Sequence, residues 1–544
     1  DATETWVDLF MAQAAKTPDA LAVADRDTSL TYAELDRKSN ALAHILIEKG
    51  VQPGDFVAVM LDRTVRFPLA VIAIHKAGAA YVPIDLEYPQ ERIEYMLEDS
   101  EARLVIDGAF MDSVSVEASF AEPINLATTE GLAYMIYTSG TTGKPKGAMV
   151  GHDNLRGMVV ALVEAESITS DDRIVGHPSF SFDSHVMDMY PVLTVGGSFH
   201  IVPEDMRRDI SDVVGFIESH RTTGGLFTPQ FGQLLLAEDM SSMRYIAMGG
   251  EKLVGAYHKS LTIANCYGPT ECTCCNMGFF IEPGKRIDNI PIGRPWAGVY
   301  AFVVDGHGHL VPRGVAGELC HAGVQICRGY WKRPEMTAEK FVDCPWTDGR
   351  MYHTGDLVRW NEDGQLEYLG RIDNQVKLRG FRIELGEIES KAAAIPGVKQ
   401  AVAVVKHLNG ADHLVLYYVP DSDNGVTDES VREALEASSL AEYMIPDAYV
   451  QLDALPMTPN GKVDRKALPD PDVSEQEYVA PEGETETAVA AIVAEMLGME
   501  RVSIISNLIT LGMPSILMMK LAMRVSKELD VQIRVTDIMA APTV

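Results

Sequence analysis

Between residues 30 and 89 the chain switches repeatedly between two hydrophobic periods, and that alternation admits few architectures. The segment TYAELDRKSNALAHILIEKG carries apolar residues at helical spacing and stops at Gly50; the short apolar run FVAVML follows, and helix and strand then recur. Buried strands fed by amphipathic helices imply parallel strands with helices layered on them. The pattern returns at 198–202 (strand), 209–220 (helix), 225–227 (strand) and 245–248 (strand). Further on, 364–370 reads as a short hairpin, 383–394 as a helix, and 401–407 and 413–419 as strands. This second region is a small α+β unit of about a hundred residues, an ordinary domain size. Residues 467–484, ALPDPDVSEQEYVAPEGE, are rich in Pro, Asp and Glu without period, as a linker is. Two amphipathic helices, 485–497 and 515–529, then suggest a small helical bundle. The expected fold is a large α/β domain, a small α+β domain and an all-α bundle.

Length and composition agree with several domains. The 544 residues are ample for a sizeable core. Although 47% of them are hydrophobic, no uninterrupted apolar run is long enough to span a bilayer. The start, DATETWVDLF, has neither the basic segment nor the apolar stretch of a signal peptide, and it lacks Met, as a piece of a longer protein would. A net charge of −32 repels phosphate backbones, so neither nucleic acid nor membrane is expected as a partner. Seven cysteines, an odd number with no paired CxxC framework, suit a reducing compartment, and a cytoplasmic location is expected. Cys266, Cys272, Cys274 and Cys275 cluster, but no second ligand pair with finger spacing follows, and His258 and His321 are not at such spacings. Weakly polar pocket lining is the better reading of these thiols.

The chemistry begins at residues 131–147. An apolar run at 131–137, a candidate buried strand, leads into YTSGTTGKPKG. Glycines at 140, 143, 147 and 151 let backbone approach a polyanion closely, the Ser and Thr hydroxyls donate to phosphate oxygens, and Lys144 and Lys146 add charge. The loop is not a Walker A motif, because only two residues separate Gly140 from Gly143-Lys144, and Pro145 follows the lysine.

Further motifs follow in a fixed order: NCYGPTE at 265–271, GELCHAGVQICRGYWKRPEMT at 317–337 and YHTGD at 352–356. After them come GRIDNQVKLRGFRIELGEIE at 370–389 and PNGKVDRKALP at 459–469. Together they resemble the adenylate-forming superfamily of acyl-CoA synthetases, luciferases and nonribosomal peptide synthetase adenylation domains. The resemblance runs the length of the chain and implies an adenylation core at 1–371 and a mobile subdomain with a catalytic lysine at 372–470. A linker at 471–483 and a peptidyl carrier domain at 484–544 complete the division.

The reaction so implied joins a carboxylate to ATP, releasing pyrophosphate and leaving an acyl-adenylate. By resemblance Lys462 bridges the substrate carboxylate and the α-phosphate, as a long flexible cation can at a transient anionic centre. Thr270 bonds the α-phosphate, and Glu271 ligates Mg²⁺, as a hard carboxylate suits. Thr138, Ser139, Gly140, Thr141, Thr142, Gly143 and Lys146 hold the β- and γ-phosphates, Tyr267 stacks on adenine, and Asp356 with Arg371 takes the ribose. Asp373 is the expected hinge between two half-reactions, and Gly380 the lining of a tunnel for the incoming thiol.

Two features point to one branch of the superfamily. In FSFDSHVMDMY, Asp183 stands where amino-acid-activating members place an aspartate for the α-ammonium; a helix N-cap is its other reading. LGMPSI at 511–516 resembles the LGG-x-S carrier motif, with Ser515 as the expected attachment site of 4′-phosphopantetheine, although Met513 and Pro514 depart from the pattern. Alignment by motif gives Ser184, Met187, Leu226, Ile246, Met248, Cys266, Cys274 and Cys275 as the side-chain pocket. None carries charge, which favours Leu, Val, Ile or Met, with Phe also admitted. The implied function is activation of an apolar α-amino acid with ATP and Mg²⁺ and its loading as a thioester at Ser515. A phosphopantetheinyl transferase and neighbouring condensation or release domains are the implied partners. An acyl- or aryl-CoA ligase and a non-catalytic docking platform are the rival readings.

Overall fold

The helix–strand alternation folds into layered sheets. The apolar strand Phe56–Met60 lies parallel to Ala80–Pro83 and to Leu104–Asp107, and Ala80–Pro83 is parallel to Leu132–Thr138. This computed structural model describes residues 3–544 apart from 117–121, 141–143, 374, 379, 409–410, 422–425, 458–462, 472–477, 509–510, 512 and 514. The helix Tyr32–Glu48 starts where Thr31 and Glu34 cap each other's backbone amides (3.2 and 2.8 Å), and it buries Leu35, Leu42 and Leu46. Leu132–Thr138 then turns back antiparallel into Lys146–Gly151, within a six-stranded sheet. A five-stranded sheet places Leu226–Phe227, Tyr245–Gly249 and Thr262–Tyr267 side by side in parallel. An antiparallel sheet contains Gly317–Gly323 and Arg350–Trp360.

Three details differ from expectation. The short hairpin at 364–370 is one arm of a longer one, in which Arg350–Trp360 pairs with Leu366–Arg371. The helix expected from Ile383 begins at Leu385, because Phe381–Glu384 pairs with Gln375–Leu378 as a β-hairpin and claims Ile383 for the ladder. The terminal bundle has a third helix, Val535–Ala540, beside Gly483–Leu497 and Ser515–Leu529. Six residues are too short for helical periodicity to reveal.

The small domain lays its Leu385–Ala393 helix on a sheet of Val398–Leu408, Ala411–Pro420 and Ala448–Gln451. It is tied to the large domain by a buried ion pair, Arg92 Nη1 to Glu387 Oε1 at 3.1 Å, with side chains only 3% and 2% exposed. The terminal bundle rests Met519 and Met523 on the apolar cluster that contains Phe216, Phe231 and Leu235. Methionines adapt to such irregular surfaces. No helix among the described residues is long and apolar enough to cross a membrane.

Candidate active site

A cavity of about 1340 Å³, open mouth included, lies between the large domain and the hairpin of the small one. Its nucleotide end is built from charges that come from separate elements. Glu271, in the 3₁₀ turn Thr270–Cys272, is fully buried; it accepts from Tyr330 Oη (2.6 Å) and Arg382 Nη1 (2.8 Å), with Lys146 Nζ 4.0 Å away. Burial alone would push this carboxyl up, but Arg382, Lys146 and Tyr330 outweigh it and hold it at about 2. Lys146 is drawn down to about 8, first by burial and then by Arg382, and its ammonium lies 4.5 Å from the centre of the Tyr330 ring.

Asp356 is buried, accepting from the Tyr267 hydroxyl and from Arg371 Nη1 at 2.8 Å. It reaches the site because Gly317–Gly323 and Arg350–Trp360 slip register there: Glu318 faces Leu357 while Cys320 faces His353, so the strand bulges. Gly355 takes φ +73 within the bulge, and a side chain there would press on the ends of Arg371 and Asp373; the backbone angle and this crowding both favour glycine. Arg371 also grips Asp373 through Nε at 2.8 Å. A smaller recess beside the main cavity is lined by Gly250, Asn265, Tyr267, Tyr368 and Lys377.

The phosphate loop has features that suit a polyanion. A side chain at Gly140 would collide with the Lys144 carbonyl, and the buried Thr138 hydroxyl has no partner among the described residues. Ser139 Oγ donates to the Arg382 carbonyl at 2.8 Å, so the small domain meets this loop directly. Thr141, Thr142, Gly143 and Lys462 lie outside the described residues. Met457 and Val463, which flank the lysine segment, bridge to each other, and Val463 packs on the small domain's own sheet. The hairpin of the small domain enters the cavity. Gly380, Phe381 and Arg382 line it, Phe381 stacks on Tyr443 at 4.1 Å, and a side chain at Gly380 (φ +81) would strike Thr228.

At the other end Asp183 lines the cavity with Ser184, Met187, Leu226, Cys266, Cys274 and Cys275. Asp183 makes no cap bond to the helix Ser184–Val195; its carboxylate bonds the Thr270 side chain. Burial lifts it to about 6, against the lowering effect of Thr270, and the charge of Glu271 adds to the rise. Ile246 and Met248 do not line this cavity, which corrects the expectation. They belong to the apolar cluster under the Ile210–His220 and Pro229–Leu235 helices. Neighbours in register on parallel strands share a face. Leu226 pairs with Ala247, and Cys266 with Gly249, so the Ala247/Gly249 face is the one turned to the pocket. Two acids stand behind the uncharged wall. Cys266 Sγ donates to Glu166 at 3.8 Å, and Asp188 accepts from the Leu226 amide at 3.0 Å. Burial raises both, Glu166 to about 7.

Arg382, Tyr330 and Lys377 are site residues that the sequence alone does not single out. All lie inside the motifs RGFR, RGYW and QVKL, of which the sequence reading uses only Gly380.

Residues 10–331 match the AMP-binding enzyme family, more than half of the chain. The chain belongs to that family. This AMP-binding enzyme also matches the family's C-terminal domain at 387–462 and a phosphopantetheine attachment site at 487–544. It is 38% identical to tyrocidine synthase 2 of Brevibacillus parabrevis over 548 residues, which is 96% of this chain and 15% of that protein. Against tyrocidine synthase 1 of the same organism it is 36% identical, over 98% of this chain and 52% of the relative. The chain thus spans between a seventh and about half of these two relatives. Among solved structures, holo-PA1221, an NRPS protein containing adenylation and PCP domains, superposes with TM-score 0.80 at 26% identity, covering 96% of this chain and 92% of that one. The four-domain nonribosomal peptide synthetase holo-AB3403 gives 0.62 at 30% identity, covering all of this chain and 42% of that one. The cofactors of such domains are ATP with Mg²⁺ and 4′-phosphopantetheine. The unpartnered Thr138 hydroxyl, the tight Gly140 turn and the ionised Glu271 fit the first pair. Ser515, the first residue of the Ser515–Leu529 helix, is the position that the carrier motif gives for the second.

Proposed function

We propose that this AMP-binding enzyme activates an apolar α-amino acid with ATP and Mg²⁺ and passes the acyl group to its own carrier domain. The observation that carries the reading is Asp183, a buried carboxylate at the head of a sulfur- and aliphatic-lined pocket. Arg382 acts on it only through space and forms no ion pair with it among the described residues, so the carboxylate is costly to bury, and an α-ammonium would be a direct partner. Met187, Leu226, Cys266, Cys274 and Cys275 then offer a side chain only apolar and thiol surface, and Glu166 and Asp188 are screened behind that wall.

In the adenylation step Glu271 would hold Mg²⁺, with Thr270 and Lys146 on the phosphates, Tyr267 and Asp356 with Arg371 on the nucleoside, and Lys462 at the reacting oxygen. Preorganised charges of this kind act where charge develops. The orientation described here favours the second step. Arg382 occupies Glu271, so that carboxylate is free for a metal only after the hairpin withdraws. Asp373 would act as the hinge between the two orientations, and Gly380, which lines the cavity, would border the path of the incoming thiol. The pantetheine arm, when attached at Ser515, supplies the thiol that accepts the acyl group.

ATP–pyrophosphate exchange over a panel of amino acids, aryl acids and fatty acids tests this. Exchange with one or two apolar amino acids, lost in Lys462→Ala and Asp183→Ala, is expected. Exchange confined to acids without an amine would favour a CoA ligase, and silence across the panel a docking platform.

A further inference from the structure

A second cluster of donors lies on the outer side of the bulge that delivers Asp356. His353 stands directly across the ladder from Cys320, and Glu318, two residues along the same strand, shares that face. The three side chains converge: His353 Nδ1 is 3.0 Å from Glu318 Oε2 and 3.4 Å from Cys320 Sγ, and one ligand atom from each lies within 4.8 Å of the others. No other group of three or more His, Cys, Asp or Glu among the described residues does this. Glu318 Oε1 is already committed to the Gly355 amide at 2.9 Å, which orients the carboxylate and leaves Oε2 facing the cluster.

We infer that Glu318, Cys320 and His353 form a binding site for a zinc-type divalent cation, independent of the Mg²⁺ proposed at Glu271. The spacing suits it. Tetrahedral zinc with usual bond lengths separates a nitrogen and a sulfur ligand by about 3.5 Å, and a nitrogen and an oxygen ligand by about 3.3 Å. The two distances from His353, 3.4 and 3.0 Å, are within a few tenths of an ångström of these, and the Glu318 and Cys320 ligand atoms already lie within 4.8 Å of each other. A thiolate with an imidazole selects zinc over Mg²⁺ or Ca²⁺, which prefer oxygen alone. Three protein donors leave a fourth position, and the Glu318 and His353 side chains are 22% and 24% exposed, so water can fill it. On binding, the Cys320 thiol gives its proton to solvent and becomes thiolate, and neutral His353 coordinates through Nδ1 and keeps its proton on Nε2. The metal would join the two strands on either side of the bulge and stiffen the turn that carries Asp356.

The test uses the tag-free full chain carrying Ser515→Ala, so that no pantetheine thiol competes, stripped of metal and without nucleotide. Zn²⁺ is titrated against a chromophoric chelator, and Co²⁺ is added separately to look for thiolate-to-cobalt charge-transfer absorption. One tight Zn²⁺ per chain is expected, with a melting temperature that rises with zinc beyond saturation. Cys320→Ser and His353→Gln should each weaken binding by more than the ~10–100-fold that loss of an outer-shell partner costs. Cys344→Ser, on the same apolar cluster but outside the trio, should leave binding and absorption unchanged. His353 is partly exposed, so its variant serves if the buried Cys320→Ser fails to fold; metal-free melting curves show which is the case. Absence of saturable binding to the parent chain overturns the inference, as does binding that survives both variants. The trio is then a hydrogen-bond network only.

Discussion

The two ends of the cavity solve opposite problems. At the nucleotide end, Lys146, Glu271, Arg382, Asp356 and Arg371 arrive from five separate segments, and each charge meets another. At the side-chain end, Asp183 feels the charge of Arg382 but forms no ion pair among the described residues, and beyond it the wall is sulfur and hydrocarbon apart from the Ser184 hydroxyl. The first end is stable as it stands. The second waits for its counter-charge, so it costs the free protein stability and gains from substrate. Sites tuned for function commonly carry such a cost.

The largest effect should come from removing the waiting charge. Asp183→Ala is expected to lower kcat/KM for the amino acid by about 10²–10³-fold, the usual consequence of deleting one partner of a buried pair, measured by pyrophosphate exchange. The Asn variant sharpens the point. Because the folded pKa, about 6, lies above the ordinary aspartate value of 3.8, the unfolded chain ionises first as pH rises, and stability is lost across that window. Asp183→Asn should therefore lose activity yet unfold later at pH 7, by about 1–3 kcal/mol. A less stable Asn variant would break the comparison.

Next comes the strand Tyr245–Gly249, whose two faces belong to different regions. A side chain at Gly249 would lie 2.9 Å from the Cys266 carbonyl, so Gly249→Ala should cut exchange with the preferred amino acid by about 10–200-fold. Met248→Leu, one residue away, should leave substrate preference unchanged and cost under about 1.5 kcal/mol in a denaturant melt. Equal effects on selectivity would show that the strand does not divide the two regions. At the charged end, Arg382→Ala should slow loading of radiolabelled amino acid onto the carrier about tenfold, with a smaller change in exchange, since a hydrogen bond to a charge is worth about 1.5 kcal/mol at the low end. The smallest effect is in pH. The KM for the amino acid should climb a few-fold per unit below about 6 as Asp183 takes up its proton, whereas a flat profile would assign the ammonium to another group.

The same contrast explains what could be read in advance. Charges proposed to hold a nucleotide admit few substitutes, so Lys146, Glu271, Asp356 and Arg371 stand out in a single chain, as does the α/β alternation with its Pro- and acid-rich linker. A hydrophobic wall has many solutions, and its identity turns on strand parity. Motif alignment assigns Ile246 and Met248 to the pocket, but the register puts Ala247 and Gly249 beside Leu226 and Cys266, and in a strand one residue exchanges cavity for core. Arg382 was passed over for a different reason. Its role depends on how the small domain is placed against the large one, and no local pattern records that.

The ion pair between Arg92 and Glu387 has a consequence for turnover. These charges are almost completely dry, and one belongs to each domain. Should the small domain swing as proposed, both must be wetted on every departure and dried on every return, at several kcal/mol per ion before their attraction is counted. The cycle then takes up and releases water along with its chemistry. Solutes that lower the activity of water without touching the cavity should hold the enzyme in the posture seen here, slowing the next adenylation more than the transfer that precedes it.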